Sequence, residues 1–182
     1  MKPAVGPAPI RYPMAPLIRL TLIGLYLALV APLPLLASGE VRAALWLALP
    51  LGFGLLFAAT SEEVELSDRG ISVGHPPWCA WLLRRGWSLA WTAIDGLTPV
   101  ATSQGGQVFY VRSMDGAAYL LPQRVAGFED FLGRFTEATG LATGAIGRIS
   151  PPWTYQLLAG LTGAMLLGEV AFAVARWWTG AP

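Results

Sequence analysis

Long apolar stretches and short polar breaks divide the chain. Leu20 to Ala37 contains no charged residue and lies between Arg19 and Glu40. Ala43 to Ser61 is likewise uncharged, between Arg42 and Glu62. A third stretch, Ile149 to Ala175, lies between Arg148 and Arg176 and carries one charge, Glu169. A bilayer-spanning helix needs roughly 20 mainly apolar residues, so each stretch predicts a transmembrane helix. The first two are joined only by Ser38-Gly39-Glu40-Val41-Arg42, which is short enough to force an antiparallel hairpin. Pro32 and Pro34 are expected to bend or break the first helix near its end, because proline supplies no backbone N–H and crowds the preceding turn.

Between the second and third stretches the period changes. Glu62 to Ser67 and Ile71 to Val73 alternate polar with apolar around the turn signal Asp68-Arg69-Gly70, and predict a strand pair. Trp87 to Trp91 and Ile94 to Ala101 predict two more strands, and Gln104-Gly105-Gly106 a turn before Gln107 to Arg112. Asp115-Gly116 is a hairpin signal leading into Ala117 to Leu121. After Pro122 the apolar residues Val125, Phe128, Phe131, Leu132 and Phe135 recur at helical spacing, which predicts a helix from Val125 to Thr139 ended by Gly140. Its aromatic stripe is core contact for the apolar face of a sheet.

The expected organisation is an N-terminal arm (1–19), a transmembrane helical hairpin (20–61), an α+β domain (62–148), a third transmembrane helix (149–176) and a tail (177–182). Residues 65–73, GluLeuSerAspArgGlyIleSerVal, resemble the opening hairpin of bacterial pleckstrin-homology-like domains. Residues 87–97, TrpSerLeuAlaTrpThrAlaIleAspGlyLeu, resemble the next element of that family, a strand followed by a W-x-x-I turn. The Asp115-Gly116 hairpin and the closing helix fit the same pattern. The resemblance implies a small antiparallel domain closed by one helix, tied to membrane spans and serving as a binding or scaffolding module. Head-group binding is not implied, because only Arg84-Arg85 resembles the basic cluster of lipid-binding members. The whole-chain plan also resembles small cyanobacterial proteins of the photosynthetic membrane, of unassigned function.

Composition sharpens this picture. Of 182 residues, 54% are hydrophobic and 13% charged, with a mean hydropathy of +0.53. Soluble domains carry about 25% charged residues, so the balance is that of a membrane protein. A net charge of +1 without a basic run excludes a nucleic-acid binder. The three basic residues ahead of the first apolar run, Lys2, Arg11 and Arg19, are also compatible with a secretory signal. The run exceeds a typical signal core, a second span follows almost at once, and Leu36-Ala37-Ser38-Gly39 is a poor cleavage site, so a retained span is expected. The arm and the domain together hold Lys2, Arg11, Arg19, Arg69, Arg84, Arg85, Arg112, Arg124, Arg134 and Arg148, against only Arg42 and Arg176 on the other side. That bias puts the middle domain on the cytoplasmic side of a plasma or thylakoid membrane.

Candidate chemistry is sparse. His75 and Cys79 are the only residues of their kinds, and four zinc ligands cannot be drawn from one Cys and one His without further donors. Pro76 and Pro77 between them argue against a regular helix, and no acidic residue adjoins His75 to orient it as a base. Glu62-Glu63-Glu65 and Glu129-Asp130 look like solvated faces, and Ser103 to Gly106 lacks the lysine and setting of a phosphate loop. No metal, no cofactor and no catalytic residue is expected. What stands out is a loop of apolar and basic residues, Trp78, Trp81, Leu82, Leu83, Arg84 and Arg85. It fits docking onto membrane lipid, contact with a protein partner, or burial against the protein's own spans. Gly160 and Ala164 have the small-xxx-small spacing that permits close helix approach, and Glu169 is an ionisable group within a span, costly when facing lipid. It fits a carboxylate facing another span of this chain or snorkelling out to the interface, or a contact with a partner helix or a pigment-like group. The expected role is therefore non-catalytic: an accessory, assembly or scaffolding protein that holds a partner, such as a photosynthetic or other large membrane complex, at the membrane surface. The alternative is a lipid-binding or lipid-sensing module acting through the Trp/Arg loop.

Overall fold

The computed structural model describes residues 8–83, 85–103, 106–147 and 152–179. Lys2, Arg84, the Gln104-Gly105 turn and Arg148 lie outside the described residues. The chain divides into two compact units, one formed by 1–15 and 61–150, the other by 16–60 and 151–182.

The helical unit contains the predicted spans. Helix α1 (Pro16–Val30) starts earlier than its apolar run, because Arg19 sits within it, its guanidinium 4.4 Å from the Phe57 ring centroid. As expected, α1 stops short of Pro32. A separate turn, α2 (Leu33–Leu36), follows with Pro34 inside it. Helix α3 (Gly39–Ala59) accommodates Pro50, and the Tyr26 hydroxyl of α1 donates to the neighbouring Leu49 carbonyl at 2.7 Å. The third long helix runs from Pro152 to Thr179. Three segments of 21, 21 and 26 residues are apolar and long enough to cross a membrane: Pro16–Leu36, Gly39–Ala59 and Trp153–Trp178.

The second unit is antiparallel. Strands β1 (Ile10–Pro13), β2 (Glu63–Ser67), β3 (Gly70–Gly74) and β4 (Trp87–Ala90) form one sheet in that order. Strands β5 (Ile94–Ala101), β6 (Gln107–Ser113) and β7 (Ala118–Leu120) form the other. The Asp68-Arg69 and Asp115-Gly116 turns stand where the sequence predicts them. Gly116 takes a left-handed φ of 88°, and Asp115 Oδ1 accepts from the Ala117 amide at 3.0 Å. That bond, the largest influence on Asp115, holds its carboxyl below the usual range.

One element was not expected. Residues 10–13, assigned by sequence to a free arm, pair with β2 in the register Ile10↔Leu66, Arg11↔Glu65, Tyr12↔Val64 and Pro13↔Glu63. Tyr12 is buried with its ring edge-on to Phe131 at 5.5 Å, while Arg11 faces out to Glu65 at 3.0 Å. The sheet domain is therefore discontinuous in sequence, with α1 to α3 inserted between its first and second strands. Four residues are too few to show an alternating period, which is why the pattern is silent there.

The 75–86 loop carries a short helical turn, α4 (Pro77–Ala80), and the closing helix, α5 (Phe128–Thr139), begins three residues later than predicted. Gly127 at φ 62° sets the later start of α5, and Val125 instead bridges Met14 in extended conformation. Phe128, Phe131, Leu132 and Phe135 all turn into the core against Val64, Ile71, Val73 and Val111. This confirms the aromatic stripe as packing. Gly140 ends the helix as expected, its amide donating to Thr136 O at 2.7 Å.

Candidate contact surface

The loop between β3 and β4 contains one helical turn, α4, with Pro76 as N-cap and Pro77 in the first turn, and no helix carries His75 and Cys79 on one face, as the prolines imply. Proline is tolerated at a first helical position, where the missing N–H would have had no partner in the helix. The turn is anchored from inside. Cys79 is buried with its thiol 3.6 Å from the Pro76 carbonyl, so the odd cysteine is a packed residue of the turn. His75 is half-buried at the base of the loop.

That anchoring pushes the apolar side chains outward. Trp81 is 80% exposed, Trp78 53% and Leu82 50%. The Trp81 indole N–H donates to the Trp78 carbonyl at 2.9 Å, which fixes the ring relative to the turn. Leu83 is half-buried and Arg85 exposed; Arg84 is among the residues not described. The structure thus holds Trp78, Trp81 and Leu82 as one exposed apolar knuckle on the turn, with exposed Arg85 following in sequence. Trp87 and Trp91 belong elsewhere: Trp87 opens β4, whereas Trp91, expected at the end of the same strand, instead begins a 3-10 turn (Trp91–Ala93). Trp87 stacks on Tyr119 at 5.1 Å, and Trp91 meets Phe135 edge-on at 5.9 Å while its N–H donates to Ser67 O at 2.9 Å.

A second polar cluster escaped the sequence reading because it depends on β1. The Tyr12 hydroxyl donates to Asp130 Oδ2 at 2.5 Å, and Arg134 Nε reaches the same oxygen at 3.0 Å. Burial, then the bond to the Asp130 carboxylate, pushes the Tyr12 phenol up to about 12. The Tyr12 bond first, then Arg134, holds Asp130 below the ordinary carboxylate range. The only hint in sequence was the i,i+4 spacing of Asp130 and Arg134 on the outer face of a helix. The cluster ties β1 to α5 and is structural: each polar group has its partner within it.

In the helical unit, α6 (Pro152–Thr179) packs on α1 through Thr162, not through the predicted small residues. A Cβ added to Gly24 would lie 2.9 Å from Thr162 Cγ2, whereas one at Gly160 would meet nothing within 4 Å. Gly160 and Ala164 are exposed because, two positions away from Thr162, they fall on the opposite side of the helix. Glu169 is half-buried, and with Arg42 and Arg176 it lines an open cleft of about 670 Å³.

The chain is α+β, with a small antiparallel sheet domain and three helices apolar and long enough to cross a membrane, a composition that suggests a membrane protein. Its sequence is 39% identical over 172 residues to a protein of Synechocystis sp. described as uncharacterized protein slr0269, an alignment covering 91% of this chain and 86% of the relative. The chain belongs to the family of slr0269. No family model and no solved structure matches it.

Proposed function

We propose that this protein is a non-catalytic membrane accessory or assembly protein whose sheet domain holds a partner protein at the membrane surface. The observation that carries the reading is the knuckle of Trp78, Trp81 and Leu82, exposed on a turn that two prolines and a buried cysteine hold in place. Exposed aromatic side chains on a pre-organised support lose little entropy on binding, and tryptophan is among the commonest interface hot spots. The succession of a four-stranded sheet, a three-stranded sheet and a closing helix supports a pleckstrin-homology-like domain. The pairing of β1 with β2 supports a topology in which the chain crosses the membrane twice between them and returns to the same side. The excess of basic residues on that side supports a cytoplasmic location. A cyanobacterial relative makes a photosynthetic membrane the first place to seek the partner.

Extraction of the tagged chain from native membranes in mild detergent tests this. The expected result is co-purification of a defined larger complex that is lost on Trp78→Ala/Trp81→Ala substitution. A chain that migrates alone in every mild detergent contradicts it. A second reading, docking of the same knuckle onto lipid, is favoured by the exposed Arg85 beside it, since a basic residue near an anionic membrane surface contributes about 1 kcal/mol. Quenching of Trp81 fluorescence by lipid-confined quenchers would favour that reading.

A further inference from the structure

The sheet domain carries an open groove of about 560 Å³ that the knuckle does not use. Its apolar part is Ile10, Leu66 and the half-buried ring of Trp91, and its charge comes from Asp68, Arg134 and Glu137. Trp91 is held from two elements. Its backbone N–H donates to the Arg69 carbonyl at 3.1 Å and its indole N–H to the Ser67 carbonyl at 2.9 Å, both at the β2–β3 turn. Phe135 of α5 meets the ring edge-on at 5.9 Å. The ring therefore ties the turn that bears Asp68 to the helix that bears Glu137, and with its N–H spent it offers the groove only carbon surface. The charges are not balanced within the groove. Arg134 is engaged by Asp130 at 3.0 Å. The carboxylates of Asp68 and Glu137 have no ion pair or hydrogen bond among the described residues. Arg69, next to Asp68, is exposed and does not line the groove.

We infer that this groove takes an arginine side chain from a partner polypeptide, its guanidinium against the Trp91 ring and its N–H donors on Asp68 and Glu137. Charge complementarity selects the occupant: a cation is attracted by the two carboxylates and by an aromatic ring, tryptophan most of all. Guanidinium fits better than other cations. It is planar and stacks on a ring, it is weakly hydrated, and its five donors can serve two carboxylates at once. An ammonium is a compact, strongly hydrated charge, and a quaternary ammonium head group has no N–H to give the carboxylates. An open groove admits one side chain while its backbone stays outside, and arginine is enriched where proteins meet. The groove is built from residues outside the Trp78–Trp81 knuckle, so the inference stands apart from the role proposed above.

Fluorine NMR of the full chain, labelled with 5-fluorotryptophan and held in phosphatidylcholine nanodiscs, tests the inference. The probes are acetyl-Gly-Arg-Gly-amide and the same peptide with lysine or with citrulline, the uncharged isostere of arginine. The expected result is that one resonance, absent from Trp91→Phe, moves on titration with the arginine peptide. Its affinity should be about tenfold above that of the citrulline peptide, the scale of one charge-assisted contact, and also above that of the lysine peptide. Asp68→Asn/Glu137→Gln, both at exposed positions, should abolish the preference over citrulline. Glu129→Gln, at an exposed carboxylate of α5 outside the groove, should keep it. Equal affinity for the arginine and citrulline peptides overturns the inference, as does a preference that survives the double variant or is lost in Glu129→Gln. Equal affinity for the lysine peptide overturns the choice of guanidinium. If Trp91→Phe is not recovered folded, the double variant decides alone: a preference that persists there overturns the inference.

Discussion

Replacing Tyr12 with alanine is the sharpest test of the discontinuous sheet domain. If residues 10–13 were a free arm, the change would be nearly silent, since exposed substitutions usually stay within about 0.5 kcal/mol. In the fold described here Tyr12 is only 5% exposed, opposite Val64 across the β1–β2 pair and edge-on to Phe131 at 5.5 Å. Removing a buried aromatic ring leaves a cavity and typically costs 3–5 kcal/mol, so about 3 kcal/mol is expected here, at a site near the sheet edge that can partly collapse. The neighbouring Arg11 is the control. Its side chain is 61% exposed, and its pairings with Glu65 at 3.0 Å and Glu63 at 3.7 Å are surface ion pairs. Arg11→Ala should therefore cost no more than about 1 kcal/mol. Pulse proteolysis in urea on the full chain in nanodiscs reads the domain's stability directly. With a urea slope of about 1.5 kcal/mol/M, Tyr12→Ala should lower the midpoint by roughly 2 M. Equal, small shifts for Tyr12→Ala and Arg11→Ala would refute the assignment of β1 to the domain.

The remaining predictions use the same domain. Trp81→Ala should leave the urea midpoint within error, because the ring is exposed, yet weaken partner binding by about 2 kcal/mol, or ~30-fold in a pull-down titration. Gly70→Ala should prevent correct pairing of β3 with β4, since its Cβ would lie 2.0 Å from the Leu89 carbonyl oxygen; proteolysis of the domain at zero urea is the readout. Burial of Tyr12 first, and then its bond to Asp130, make stability depend on pH at both extremes. The raised phenol contributes stability fully below its ordinary value of 10.0, and this is lost as pH climbs through about 12. The lowered Asp130 carboxyl contributes above its ordinary value of 3.8, and this is lost as pH falls below that value. Tyr12→Phe should flatten the alkaline limb of a midpoint-against-pH series. An unchanged alkaline limb would count against a buried Tyr12 phenol bonded to Asp130.

The sheet domain was largely legible from the pattern because its strands are short, alternating and separated by turn dipeptides, as at Asp68-Arg69 and Asp115-Gly116. The three apolar helices were legible for the opposite reason, unbroken apolar length between charges. What escaped was long-range. Nothing in Ile10-Arg11-Tyr12-Pro13 declares a strand whose partner lies beyond three intervening helices, at Glu63 to Leu66. The start of α5 was misjudged because Val125 keeps the helical spacing while Gly127 breaks the helix. Pro76-Pro77 keep His75 out of the turn that holds Cys79, but that the turn starts at Pro77 is not declared by the pattern. The aromatic knuckle was legible as composition, but its exposure depends on Cys79 turning inward, which the sequence leaves open. That Arg42, Glu169 and Arg176 line one cleft could not be read at all, since it depends on how the helices pack in three dimensions.

The most direct test of the proposed role is a photo-reactive amino acid incorporated at position 81 in the full chain and irradiated in native membranes. Holding a partner predicts a crosslinked band of defined mass containing a second polypeptide, absent when the same group replaces exposed Met114 on another turn of the domain. Lipid adducts alone at position 81, or the same products from both positions, would contradict it.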